Sequence, residues 1–126
     1  MSEHFSDAEL RCKCGCGRNL MREGFMRKLE SLRVYLGFPM SVSSAYRCPT
    51  HNSSVSSTGL DGPHTTGRAI DIAVHGSAAL KIIGRAKEFG FYGVGVSQKG
   101  THGSRFIHLD DLDSTSRRPR PHVWSY

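Results

Sequence analysis

Apolar residues recur at helical spacing in the first third of the chain. The positions that would share one face of this helix are Phe25, Met26, Leu29, Leu32, Tyr35 and Leu36. Their spacing is that of an amphipathic helix. Gly37 and Pro39 follow directly, and both residue types end helices. The pattern therefore predicts a helix from Glu23 to Leu36.

A second helical pattern follows Ser77, which is expected to be the N-cap of that helix. Its expected buried face consists of Leu80, Ile83, Ala86 and Phe89. Shorter alternating patterns predict strands within residues 40–47, 68–74, 90–97 and 105–112. In the clearest of them, RAIDIAV, Asp71 shares one face with Ala69 and Ala73, and the isoleucines take the other face.

This order of elements predicts the α+β class, with a small, mainly antiparallel sheet and two packed helices. The length of 126 residues suits one domain spanning 1–126. Residues 1–20 lack a regular pattern and predict an irregular N-terminal arm with at most one turn, and residues 114–126 predict an Arg- and Pro-rich C-terminal tail. Residues 48–66, rich in Ser, Thr and Gly, predict a long loop of the kind that is usually functional or disordered.

The charge balance is basic, with 17 Lys and Arg against 11 Asp and Glu and a formal net charge of +6. Such a surface favours polyanions, although solubility alone explains it equally well. The sequence shows neither a recognition helix nor a pattern of stacking aromatic residues, so we expect no nucleic-acid partner. No apolar run is long enough to cross a bilayer, so no membrane span is expected. The polar N-terminus MSEHFSDAEL is unlike a secretory signal and predicts synthesis in the cytoplasm.

Four cysteines, Cys12, Cys14, Cys16 and Cys48, form an unusual CxCxC pattern with one distant member. A cytosolic origin favours thiols over disulfides. Structural zinc sites usually contain a CxxC knuckle, which is absent here. Buried or incidental thiols are therefore the default interpretation, while a second metal site and a disulfide from Cys48 remain open alternatives.

A candidate metal centre consists of His64, Asp71 and His108. Asp71 lies inside a strand of apolar and small residues, where a carboxylate needs a partner. Two histidines and one carboxylate leave the fourth tetrahedral position open, as in catalytic zinc sites, where a bound water ionises near neutral pH. Spacing alone is weak support, because the chain has seven histidines and any of them can be a surface residue.

Three segments, SSAYRCPTHN, GPHTTGRAIDI and FIHLD, resemble the signature blocks of the M15 family of zinc D-Ala-D-Ala carboxypeptidases. The second is similar to the family's S-x-H-x-x-G-x-A-x-D motif, with Gly62 in place of its serine. The resemblance spans about residues 40–110, and the closing RPRPHVWSY is similar to the short phage and prophage branch. It implies a hedgehog-like zinc fold, with zinc bound by His64, Asp71 and His108.

The resemblance also implies catalytic roles. Arg47 would stabilise the oxyanion of the tetrahedral intermediate. Many relatives carry a carboxylate three residues before the last histidine ligand as general base, but here that position is Arg105, which cannot accept a proton. The remaining candidates for the base are Asp110, which strand alternation places on the side of His108, and His102 in the preceding loop.

The implied activity is zinc-dependent hydrolysis of a peptide bond in peptidoglycan stem peptides, as a carboxypeptidase or endopeptidase, with a phage lysis enzyme among the candidates. The alternative is a non-catalytic, zinc-bearing module that binds the cell wall. This alternative stays open because Arg105 replaces the carboxylate that would act as general base. We expect a monomer that reaches the wall after holin-type release or virion delivery. Gly93 and Gly95 could let a peptide approach the sheet closely, although plain turn chemistry explains both glycines equally well.

Overall fold

The computed structural model describes residues 2–126 and confirms the predicted α+β class. The helices in this range are α1 (Asp7–Leu10), α2 (Glu23–Leu36), α3 (Pro49–Val55) and α4 (Gly76–Arg85). The strands are β1 (Ser41–Ser44), β2 (Ala69–Ala73), β3 (Gly93–Ser97), β4 (Phe106–Asp110) and β5 (His122–Ser125). Helix α2 has the predicted limits and ends at Gly37, whose φ of 74° is left-handed.

The five strands form one sheet in the order β1-β2-β4-β3-β5. The first three pairings in this order are antiparallel, and only β5 runs parallel to its neighbour β3. The register sets Asp71 opposite His108, His108 opposite Gly95, and Gly95 opposite Trp124. These residues form a transverse row, so strand alternation places them on the same face of the sheet.

The opposite face of the sheet carries the hydrophobic core. Ile70, Ile72, Ile107 and Leu109 are fully buried there. They belong to one cluster with residues of α2 and α4. The core therefore occupies one side of the sheet, and the other side is left for polar side chains.

Helix α4 differs from its prediction in its start and in its buried face. It begins at Gly76 with His75 as N-cap, so Ser77 is not the cap. Ala86 is buried as predicted, and Ile83 and Phe89 pack partly buried against the core. Leu80 is instead 69% exposed, and Ala79 and Ile82 complete the buried face. The small side chains of Ala79 and Ala86 let the helix lie close to the sheet.

Both terminal segments contain a short regular element. The N-terminal arm contains the single turn of α1, which a capping box between Ser6 and Glu9 stabilises. The tail formed by residues 114–126 supplies β5, whose backbone pairs with β3 at the sheet edge. The predicted loop at 48–66 contains α3 and two short 3₁₀ turns. Between residues 2 and 126, none of the helices combines the length and apolar character that a bilayer span requires.

Candidate metal centre and its cavity

Three separate elements bring the predicted ligands together. His64 lies in the 3₁₀ turn Pro63–Thr66, Asp71 in the middle of β2, and His108 opposite it on β4. All three side chains are buried. One candidate ligand atom from each residue lies within 4.8 Å of those from the other two. The sequence motif and the strand register thus converge on one cluster.

The spacing of the three donor atoms suits a tetrahedral ion. Nε2 of His64 lies 3.2 Å from Oδ1 of Asp71, and Nδ1 of His108 lies 3.0 Å from the same oxygen. Zinc bonds of about 2.0–2.1 Å at tetrahedral angles separate neighbouring ligands by about 3.3 Å. The residues present therefore fit zinc in both donor type and spacing.

Each imidazole is oriented through its other nitrogen. Nδ1 of His64 donates to the carbonyl oxygen of Ala45 at 2.7 Å, and Nε2 of His108 donates to Oδ2 of Asp110 at 2.7 Å. Such outer partners fix the ring orientation and tautomer of metal-ligating histidines. Here they leave the second nitrogen of each ring facing Asp71.

The cluster is electrostatically prepared for a cation. Burial disfavours the ionised form of Asp71, but hydrogen bonds from His108 and His64 outweigh it and lower the pKa of the carboxyl. Burial likewise disfavours protonated His108, yet hydrogen bonds to Asp110 and Asp71 raise its pKa. The ionised carboxylates of Asp71 and Asp110 favour a proton on the His108 ring. The same negative charge would also favour a metal ion beside that ring.

Asp110 is fully buried and already engaged on both oxygens. Arg120 donates from Nε to Oδ1 at 2.9 Å and from Nη2 to Oδ2 at 2.8 Å. Burial opposes ionisation of Asp110, but the hydrogen bonds from His108 and Arg120 prevail and lower its pKa. The predicted base candidate is thus held as the ionised partner of His108. Arg120 was missed from the sequence, where it stands in a tail rich in Arg and Pro.

Three other residues that lie near His108 in the sequence are held outside the cluster. His102 occupies an exposed turn and stacks on His75 with ring centroids 4.1 Å apart. Arg105 donates from its guanidinium to the carbonyl oxygen of Gly100. Asp111 pairs with Lys28 at 2.8 Å. None of His102, Arg105 and Asp111 lines the cavity described below.

Arg47 reaches the cluster from the segment after β1. Its Nε donates to Oγ of Ser44 and its Nη1 to Oδ1 of Asn52, both at 3.0 Å. Its Nη2 lies 3.7 Å from Oδ2 of Asp71. The guanidinium is therefore held on two sides, with Nη2 beside the ligand cluster.

Asn52, a residue that sequence reasoning missed, supports this arrangement from α3. It is fully buried and donates from Nδ2 to Oγ1 of Thr58 at 2.8 Å and to the carbonyl of Gly59. Gly62, which replaces the serine of the family motif, lies beside this contact. A Cβ at position 62 would lie 2.0 Å from Oγ1 of Thr58. A serine at position 62 would therefore displace this support.

A cavity of about 430 Å³ opens over the cluster. Arg47, His64, Asp71 and His108 line its base; the rest of the lining comes from Val55, Ser56, Ser57, Thr58, Pro63, Phe106, Trp124 and Tyr126. One wall is thus rich in hydroxyl groups and the other in aromatic rings. Burial raises the pKa of the Tyr126 phenol, which therefore stays protonated at neutral pH.

The aromatic wall corrects the prediction for the glycines of β3. A Cβ on Gly95 would lie 2.7 Å from Nε1 of Trp124 and 2.8 Å from the hydroxyl of Tyr126. A Cβ on Gly93 would meet the side chains of Asp110 and Arg120. The space above these glycines is filled by the chain itself and does not admit a peptide.

Two histidines and an aspartate at the base of a cavity, beside a fixed arginine, form a donor set that could hold a metal ion. The family model described as peptidase M15 matches residues 3–110, and the chain belongs to this family. Membership confirms the resemblance found in the sequence and implies a metallopeptidase. The phage branch stays a prediction. No curated protein matches the sequence significantly.

Proposed function

We propose that this protein is a zinc-dependent peptidase that hydrolyses a peptide bond in peptidoglycan stem peptides. The observation that carries the proposal is the convergence of His64, Asp71 and His108 beneath the cavity, with ring nitrogens spaced and oriented as ligands. When bound, zinc would supply a Lewis acid that polarises the scissile carbonyl and activates water.

Other residues that line the cavity would stabilise the developing charge and bind the substrate. Arg47 would donate from Nη2 to the carbonyl oxygen as negative charge develops there, since Ser44 and Asn52 already fix the guanidinium. Trp124 and Tyr126 would pack against the apolar parts of the peptide. Tyr126, protonated at neutral pH, could donate a hydrogen bond to the substrate.

A second function, a zinc-bearing module that binds the wall without cleaving it, has one observation in its favour. Among the cavity-lining residues of the 2–126 segment, Asp71 is the only carboxylate. Asp110 is held by His108 and Arg120, so a free carboxylate to accept the proton of the attacking water is missing from the lining. The two functions differ in turnover alone, which an assay measures directly.

Purified full-length protein should release new amine groups from isolated peptidoglycan. A chelator should stop the release, zinc should restore it, and His108→Ala should be inactive. Circular dichroism of the chelated protein would separate loss of the catalytic ion from loss of the fold. Parallel assays on D-Ala-D-Ala-terminated stem peptides and on cross-linked muropeptides would separate carboxypeptidase from endopeptidase. Binding to the wall without any cleavage by the zinc-loaded protein would favour the binding module.

Asp110→Asn should weaken zinc binding by about 10- to 100-fold, the usual effect of removing the outer partner of a metal-ligating histidine. Excess zinc should then restore most of kcat, because the ligands themselves remain. A general base would behave differently: zinc affinity would stay constant and kcat would stay low at saturating zinc. His102→Ala is the matched control, and it should match the parent in both measurements because His102 lies outside the cavity.

A further inference from the structure

A second group of metal-ligating side chains lies apart from the histidine cluster. Cys12, Cys14 and Cys16 from the N-terminal arm meet Cys48, which immediately precedes α3. The four sulfur atoms lie within 4.8 Å of one another. Sγ of Cys14 is 3.5 Å from that of Cys12 and 3.7 Å from that of Cys48. All four are free thiols, since a disulfide would bring two sulfurs to about 2.05 Å.

These distances match a tetrahedral thiolate site. Zinc–sulfur bonds of about 2.3 Å at tetrahedral angles place neighbouring sulfurs about 3.8 Å apart. An extended CxCxC segment would instead spread alternate residues by about 6.6 Å. The chain avoids this by turning through residues 13–16, with Gly15 at a φ of 91° and Gly17 at 75°. Left-handed backbone of this kind is readily available only to glycine.

The surroundings also suit a bound cation with thiolate ligands. Cys12 and Cys48 are buried, whereas Cys14 and Cys16 face solvent. The backbone N–H of Cys48 donates to Sγ of Cys12 at 3.3 Å, a contact that stabilises negative charge on the sulfur. Lys13 lies between Cys12 and Cys14, and Arg18 follows the turn that carries Cys16. Their positive charge would offset the excess negative charge of four thiolates around one divalent ion.

We propose that Cys12, Cys14, Cys16 and Cys48 bind a second zinc ion in a closed, structural site. Four protein ligands leave no open position, so this site would contribute to folding and not to catalysis. It would join the N-terminal arm to the segment that carries Arg47, the residue before Cys48. Three ligands would come from the turn at residues 12–16 and the fourth from a distant segment, in place of the usual CxxC knuckle. This inference does not depend on the proposed peptidase activity.

Elemental analysis of the full-length protein, purified with reductant and added zinc, should find two zinc ions per chain. His108→Ala should retain one ion, and X-ray absorption at its zinc edge should show four sulfur neighbours at about 2.3 Å. Cys14→Ser combined with Cys16→Ser should also retain one ion, now with nitrogen and oxygen neighbours. Both replaced side chains are exposed, which limits damage to the core.

The proposal fails if zinc in His108→Ala is absent or surrounded by nitrogen and oxygen alone. It also fails if mass spectrometry of the zinc-loaded protein shows that these cysteines are linked as disulfides. Should the double cysteine variant not fold, the absorption spectrum of His108→Ala still decides the question. A peptidase that lacks the second ion would contradict the thiolate site alone, and an inactive protein with two ions would contradict the proposed function alone.

Discussion

His64→Ala and His108→Ala should each lose one zinc ion per chain. Their rate of peptide-bond hydrolysis should fall to the background rate measured without protein. Either substitution leaves two protein ligands at the site, too few to hold zinc in a catalytic geometry. This loss of turnover should exceed the loss caused by any other single substitution, because every step of the reaction depends on the zinc ion. Zinc content and peptidoglycan turnover, measured on the same preparations, are the test.

His75→Ala is the matched control for these variants. His75 is exposed and stacks on His102 in the structure, so its replacement should leave zinc content and turnover unchanged. If His64→Ala and His108→Ala kept the zinc complement of the parent, the assignment of the metal centre would be wrong. Loss of turnover with full zinc content would instead point to damage elsewhere in the cavity.

The sequence singled out His64, Asp71 and His108 as candidate ligands because each carries a short-range signal. Asp71 is marked by its place in an apolar strand, and alternation assigns it to the polar face. His64 and His108 then follow from the blocks that resemble the M15 family. What brings the three together is the register of β2 and β4, which sets Asp71 directly opposite His108. A single sequence does not reveal register.

The supporting residues were not predictable in the same way. Asp110 was placed correctly on the side of His108, but its pairing with Arg120 depends on how the tail returns to the sheet edge. The sequence predicts an irregular tail because β5 has only four residues. Four residues are too few to show a clear alternation of apolar and polar positions. Asn52 reads as one polar residue in a polar loop, and only the packing of α3 shows that it is buried.

Arg47→Ala should retain both the fold and the zinc while kcat falls by about 100- to 1,000-fold, the usual effect of removing one oxyanion donor. KM should change less, because the guanidinium would interact most strongly with charge that develops in the transition state. Arg47→Lys should recover only part of the rate. An ammonium group cannot reproduce the planar arrangement that now bonds Ser44 and Asn52 while Nη2 faces Asp71.

Arg105→Ala provides the control for the Arg47 experiment, since it removes the same charge from a residue outside the cavity. Arg105 bonds the Gly100 carbonyl and lies outside the cavity, so its replacement should leave kcat and zinc content at parental values. An equal fall in kcat in both variants would show that turnover depends on the overall positive charge of the protein, for instance because it attracts an anionic cell wall. An unchanged rate in Arg47→Ala would remove this residue from the reaction, because its hydrogen bonds would then serve only the local fold.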